Sequence, residues 1–182
     1  MVLRLFGRGT KDEHRNRVTN ALLTRYTEAR TLPSRYARED WEKGLGRSYD
    51  SVIAELHSSG VLRRPTVKEG LQRARVKDIK PILRELDLKV SGRKAELIER
   101  FLENAPDEAR KLASERSQGI YVCTESGRER AETFLREKQQ RREEARKQVR
   151  KALQERDYDS ASKAVNDYYR WLPEAMQPGI NM

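Results

Sequence analysis

Residues 89–102 read KVSGRKAELIERFL. Leu97, Ile98, Phe101 and Leu102 fall at helical spacing, so a helix starts just after the Ser91-Gly92 pair. Ser91 is of a residue type that caps helices, and Gly92 permits close backbone approach. Two cations, Arg93 and Lys94, then occupy the first turn. A helix dipole disfavours positive charge at that end and favours anions. A phosphate fits this pattern, because the amides of the turn and the two cations can share it.

The preceding residues give a second helix. Ile79, Leu83 and Leu86 form its stripe, and Pro81 is expected within about its first turn, where a missing amide proton costs little. Between the two helices Leu88 and Val90 alternate with Lys89, which predicts an extended link with Lys89 facing outward.

Val76, Ile79-Lys80 and Leu83, the link residue Leu88, Ser91-Gly92, the run Lys94 to Ile98, and Arg100 together resemble the SAP motif. That motif is a helix-extended-helix module of roughly 35 residues known for binding DNA. The pattern is specific, although it covers only part of the chain. One position departs: Asp87 stands where the family usually has glycine, and Asp tolerates left-handed backbone better than most residues. The resemblance implies that Lys89, Ser91, Gly92, Arg93 and Lys94 contact DNA phosphates, with Lys77 and Lys80 as flanking contacts. The plainer alternative pairs Lys94 and Arg100 with Glu96 or Glu103 on a solvated face. Related helix-extended-helix modules bind proteins, which leaves a second function open.

Outside residues 71–106, helical spacing recurs. Val18, Leu22, Tyr26 and Ala29 mark a first helix over 12–30; Ala37, Trp41 and Leu45 mark a second over 34–43, with Pro33 at its first turn. Ser48 caps a third, in which Tyr49, Val52, Ile53 and Leu56 share a face and Gly60 is the stop. Val61-Leu62 can open a strand, and the chain then reads as polar and basic to residue 75. PDEARKLASER reads as a short helix, GIYVCT as the best strand, and residues from Thr124 onward as a long charged helix. A last amphipathic helix carries Ala161, Ala164, Val165, Tyr168 and Leu172.

The stretch SYDSVIAELHSSGVL resembles the recognition helix and first wing strand of winged-helix domains, and IYVCTESGRERAETFL their second wing strand and closing helix. That resemblance implies pairing of Val61-Leu62 with Tyr121-Val122, a SAP-like module inserted at the wing, and DNA contacts from Arg47, Ser48, Tyr49 and Ser51. The alternative is two unrelated helical segments flanking the module. The expected fold is therefore mainly α: a SAP-like module within or beside a winged-helix-like body. The parts are a loose basic tail (1–11), an N-terminal helical part (12–70), the module (71–106), a short helix and strand returning to the body (107–127), and long C-terminal helices (128–182).

Composition supports a nucleic-acid partner. The net charge is +10, and 27 arginines outnumber 12 lysines; guanidinium groups bind phosphate in bidentate fashion. Hydrophobic residues are only 36% and charged residues 37%, which favours several thin helical cores over one thick core. The single cysteine, Cys123, excludes an internal disulfide, and its apolar neighbours make it a small hydrophobe in a reducing compartment. No apolar run reaches membrane-spanning length and the N-terminus does not read as a signal peptide, so a cytoplasmic protein is expected, nucleoid-associated if bacterial.

Little catalytic chemistry is readable. His14 and His57 have no partner set for a metal. Asp157 and Asp159 cap the last helix better than they form a metal pair. Tyr168, Tyr169 and Trp171 suit packing better than base stacking. No catalytic residue, metal, cofactor or small-molecule substrate is expected. The expected function is non-catalytic binding of duplex DNA, mainly through the phosphate backbone, as an accessory or architectural factor of a bacterium or phage. The alternatives are a protein-interaction adaptor whose module docks a partner protein, and a subunit supporting a nuclease or phage assembly machine.

Overall fold

A computed structural model describes residues 11–177. The expected tail therefore lies outside the described residues except for Lys11, as do residues 178–182. In chain order the elements are α1 (Lys11–Leu23), β1 (Arg30–Thr31), α2 (Arg35–Leu45), α3 (Tyr49–Ser58), β2 (Leu62–Arg63), α4 (Val67–Arg73), α5 (Val76–Glu85), α6 (Lys94–Asn104), α7 (Pro106–Arg116), β3 (Ile120–Cys123), α8 (Glu125–Gln154) and α9 (Tyr158–Trp171). Single 3-10 turns follow α1 (Thr24–Tyr26) and α9 (Glu174–Met176). The mainly helical fold expected from periodicity is present. The strands form one small sheet in the order β1-β3-β2, with Arg30 opposite Tyr121 and Thr31 opposite Ile120 in antiparallel register. β1 was not foreseen: Pro33 precedes the α2 cap at Ser34 rather than entering the helix, and the residues before it are extended.

The chain forms two compact units. Unit 1 takes in 11–27, 33–62 and 123–177 of the described residues; unit 2 takes in 28–32 and 63–122.

Unit 1 is built on α1, α2, α3, α8 and α9. Val18, Ala21, Leu22 and Leu23 of α1 are buried completely, as the 3.6-residue period requires. Ser48 caps α3 by accepting from Ser51 N, and Gly60 (φ +74°) supplies the left-handed residue that ends it. Tyr49 is fully buried, and its hydroxyl lies 2.8 Å from that of Tyr26. Burial raises its pKa well above the usual tyrosine value, with the Tyr26 hydrogen bond adding to the effect. Cys123 is buried, its thiol donates to Leu23 O at 3.4 Å, and burial pushes its pKa up to about 11, so it stays protonated and inert at neutral pH. Phe134 of α8 stacks on Trp171 of α9 (ring centroids 5.5 Å apart, planes 8° apart), and the Arg17 and Arg141 guanidinium groups lie over the same indole. Trp171 thus fills the packing role read from its stripe, whereas Val165 is 39% exposed. Asp157 caps α9 by accepting from Ser160 N at 3.0 Å, and hydrogen bonds from the Ser160 side chain and backbone hold its carboxyl below the usual range. Among the described residues no helix is long and apolar enough to cross a membrane.

Unit 2 has its own core: Leu71, Ile79, Leu83, Leu97, Ile98 and Phe101, closed by Ala105, Ala109, Leu112 and Ala113. Each large side chain here contributes on the order of 2 kcal/mol by leaving water. The compact unit is wider than the expected 71–106, because α4 and α7 belong to it. α4 falls in the stretch whose sequence reads only as polar and basic. Thr66 and Glu69 close a reciprocal capping box at its start, worth about 1 kcal/mol. Gly70 then allows contact with α7, since a Cβ there would lie 2.9 Å from both Ala113 Cβ and Ala113 O. The Arg63 guanidinium makes two bonds to the Glu69 carboxylate (2.7 and 2.9 Å), and this pairing depresses the Glu69 pKa to about 2.

Candidate nucleic-acid interface

α5 and α6 bury the stripes that their spacing predicts, at Ile79 and Leu83 and at Leu97, Ile98 and Phe101. Leu86 does not belong to that face and is 40% exposed. Pro81 sits at the sixth position of α5 instead of its first turn, so the Lys77 carbonyl receives no intrahelical amide from residue 81. Leu88 and Val90 are half-buried while Lys89 is exposed, the alternation expected of the link. Asp87 adopts φ +54°, the left-handed conformation for which a glycine would be usual.

The start of α6 differs from the sequence reading in one respect. Ser91 is not the cap; Arg93 holds that position, with extended backbone (φ −70°, ψ 156°). A guanidinium has no acceptor, so its side chain cannot bond the first-turn amides. Glu96 does the capping work from inside the helix, its Oε2 accepting from Arg93 N at 3.2 Å. α5 begins the same way: Asp78 Oδ2 accepts from Arg75 N at 3.1 Å. This bond holds the Asp78 carboxyl below its ordinary range, and Arg116 at 3.2 Å reinforces it. Gly92 lies at φ +123°, and a Cβ on it would run into the Glu96 carboxylate. The signal for both caps was in the sequence, an acid at the third position of each helix.

The signature cations divide into two groups. Lys94 is half-buried and its ammonium donates to the Gln72 carbonyl. Arg100 donates to the Lys89 and Ser91 carbonyls and so pins the extended link to α6. Neither pairs with Glu96 or Glu103; both donate to backbone carbonyls instead. Lys77, Lys89 and Arg93 are exposed, and Lys80 is half-buried. These four make no ion pair among the described residues, and Ser91 and Gly92 are exposed between Lys89 and Arg93. Over residues 71–104 nine Lys and Arg stand against six Asp and Glu. Any preference for phosphate therefore comes from where the cations stand more than from bulk charge.

The candidates on α3 fare differently. Tyr49 is a core residue, so it is withdrawn as a contact; its place on the buried stripe outweighs its nearness to the helix start. Ser48 is exposed but occupied as a cap, and Ser51 donates its hydroxyl to Ser48 O at 2.9 Å. Arg47 is paired with Glu55, and Asp50 with Arg38 at 2.9 Å. Asp50 and Glu55 on α3 are thus each neutralised by an arginine, and Arg47 is already engaged.

Residues 71–104 match the SAP domain family. The match covers α5, the link and α6 together with the end of α4, and a SAP domain implies nucleic-acid binding in general terms. No curated protein matches the chain, and no solved structure does.

Proposed function

We propose that the protein binds duplex DNA without catalysis, chiefly through backbone phosphates at the amino-terminal end of α6, as an accessory or architectural factor. The observation that carries this reading is the placement of Lys89 and Arg93. Both are exposed and make no ion pair among the described residues, on either side of the exposed Ser91-Gly92 turn at a helix start. Fixed amides and flanking cations suit a phosphate oxygen. Lys77 and Lys80 extend the contact along α5. So small a surface reaches few base edges, so little sequence readout is expected.

The test is fluorescence anisotropy of a labelled duplex over a salt series, using the full chain and its Lys89→Ala/Arg93→Ala variant. Lys94 is left intact because it bonds Gln72 O. Loss of two phosphate contacts should weaken binding on the order of tenfold and flatten the salt slope by about 1.8. Unchanged affinity and slope would remove the proposed surface and favour the adaptor alternative.

A second reading concerns the flanks. The order helix, β1, two helices, β2, then β3 and a helix, with β3 central in the sheet, supports a winged-helix arrangement in which residues 63–122 stand in chain order between the wing strands. The candidate cation at the start of α3, Arg47, is already engaged by Glu55, so the flanks serve as a scaffold in this reading.

A further inference from the structure

Unit 1 holds a cleft that the proposal above does not use. It lies between α1 and the end of α2, has a volume of about 490 Å³, and is lined by Lys11, His14, Arg15, Arg17 and Lys43, with Gly44 and Gly46 as its floor. Among the described residues no carboxylate lines it, although Asp40 and Glu174 pair with Lys43 at its edge. The glycines explain how it forms. A Cβ on Gly44 would lie 3.2 Å from both Val18 methyl carbons, so a side chain there would push α1 back by a few tenths of an ångström. Gly46 ends α2 at φ +65°, and a Cβ there would lie 3.3 Å from Arg15 Nη2. The two positions set the cationic face of α1 against the end of α2.

The carbonyl end of α2 attracts positive charge, but Lys43 already serves it. Lys43 is itself neutralised by Asp40 at 3.0 Å and by Glu174 at 3.6 Å. Arg17 feels the Glu137 and Glu13 carboxylates and His14 feels Glu174, but for both groups burial outweighs them. Lys11 and Arg15 are exposed and make no ion pair among the described residues. Arg17 Nη2 lies 2.9 Å from His14 Nδ1, a neutral partner, while Arg17 Nε is buried without any partner. Burial lowers the pKa of Arg17, and burial together with the nearby Arg17 charge lowers that of His14. Like charges held in a concave, partly dry place repel, and a bound anion relieves the repulsion.

We infer that this cleft binds a phosphate group, supplied either by a polynucleotide backbone or by a free phosphate compound. A tetrahedral anion with several acceptor oxygens can take the Arg15 fork and the Lys11 ammonium from different directions, with the Arg17 charge behind them. A carboxylate offers its lone pairs in one plane, so it meets donors set in different directions less well than a tetrahedral anion does. The site is separate from the α6 surface, so either can fail without the other.

The test uses the full chain labelled with 15N and 13C, titrated with pyrophosphate in a phosphate-free buffer. The readouts are the His14 imidazole and Arg15 Nε–Hε resonances. The wild type should show saturable shifts of both at about millimolar pyrophosphate or below, and Arg15→Glu should weaken binding on the order of tenfold or more. Lys89→Ala/Arg93→Ala should leave the shifts unchanged. Duplex binding by Arg15→Glu separates the sources: a loss of several-fold marks a polynucleotide phosphate, and unchanged duplex affinity marks a free one. Absence of saturable shifts in the wild type at about 10 mM, or equal shifts in Arg15→Glu, overturns the inference.

Discussion

Replacing Glu96 by glutamine sets two effects against each other. The carboxylate caps Arg93 N from the third position of α6, at the point where the proposed phosphate docks. Glutamine keeps an acceptor for that amide but removes the negative charge. Helix stability should fall by about 0.3–1 kcal/mol, because an anion near the helix start is lost. DNA affinity should move the other way. A phosphate about 5 Å from a carboxylate in water is repelled by about 0.8 kcal/mol, roughly halved at physiological salt. Duplex binding should therefore tighten about two- to fourfold while the melting temperature drops slightly. Anisotropy titrations at about 50 and 150 mM salt, paired with thermal melts, read both quantities, and the gain should be larger at low salt. A folded Glu96→Gln protein with unchanged or weaker duplex binding would refute the placement of phosphate at this helix start.

Other outcomes follow from the same contacts. Gly70→Ala gains helix propensity but forces a methyl group against Ala113, and a net loss of about 1–2 kcal/mol is expected in denaturant unfolding. Tyr49→Phe should cost about 1 kcal/mol by removing the buried bond to Tyr26, with duplex affinity unchanged because Tyr49 is in the core; weaker DNA binding at full stability would restore it as a contact. The folded Glu69 carboxyl titrates at about 2 against an ordinary 4.5, so its stabilisation is complete above about pH 4.5 and is lost as the pH falls towards 2. After allowance for partial exposure this amounts to about 1–2 kcal/mol. The melting difference between wild type and Glu69→Gln should shrink over that interval, and a constant difference would exclude the Arg63 pairing as its source.

Local chemistry was readable in the sequence wherever a residue's partners lie within a turn or two of chain. The stripes of α5 and α6, the caps at Ser48 and Asp157, the left-handed Asp87 and the SAP pattern all depend on neighbours a few positions away. The acid-at-third-position caps of α5 and α6 belong to the same class and were passed over in favour of Ser91. Tertiary structure decided the rest, because those contacts join residues distant in sequence. α4 is a short helix fixed by Gly70 against Ala113, and β1 is a strand because β3, some 90 positions later, supplies its partner. The division of the signature cations was settled the same way: Lys94 reaches Gln72 and Arg100 reaches Lys89 and Ser91. Spacing alone shows which charges stand near a helix start; only the folded backbone shows which of them already hold a carbonyl and which still face solvent.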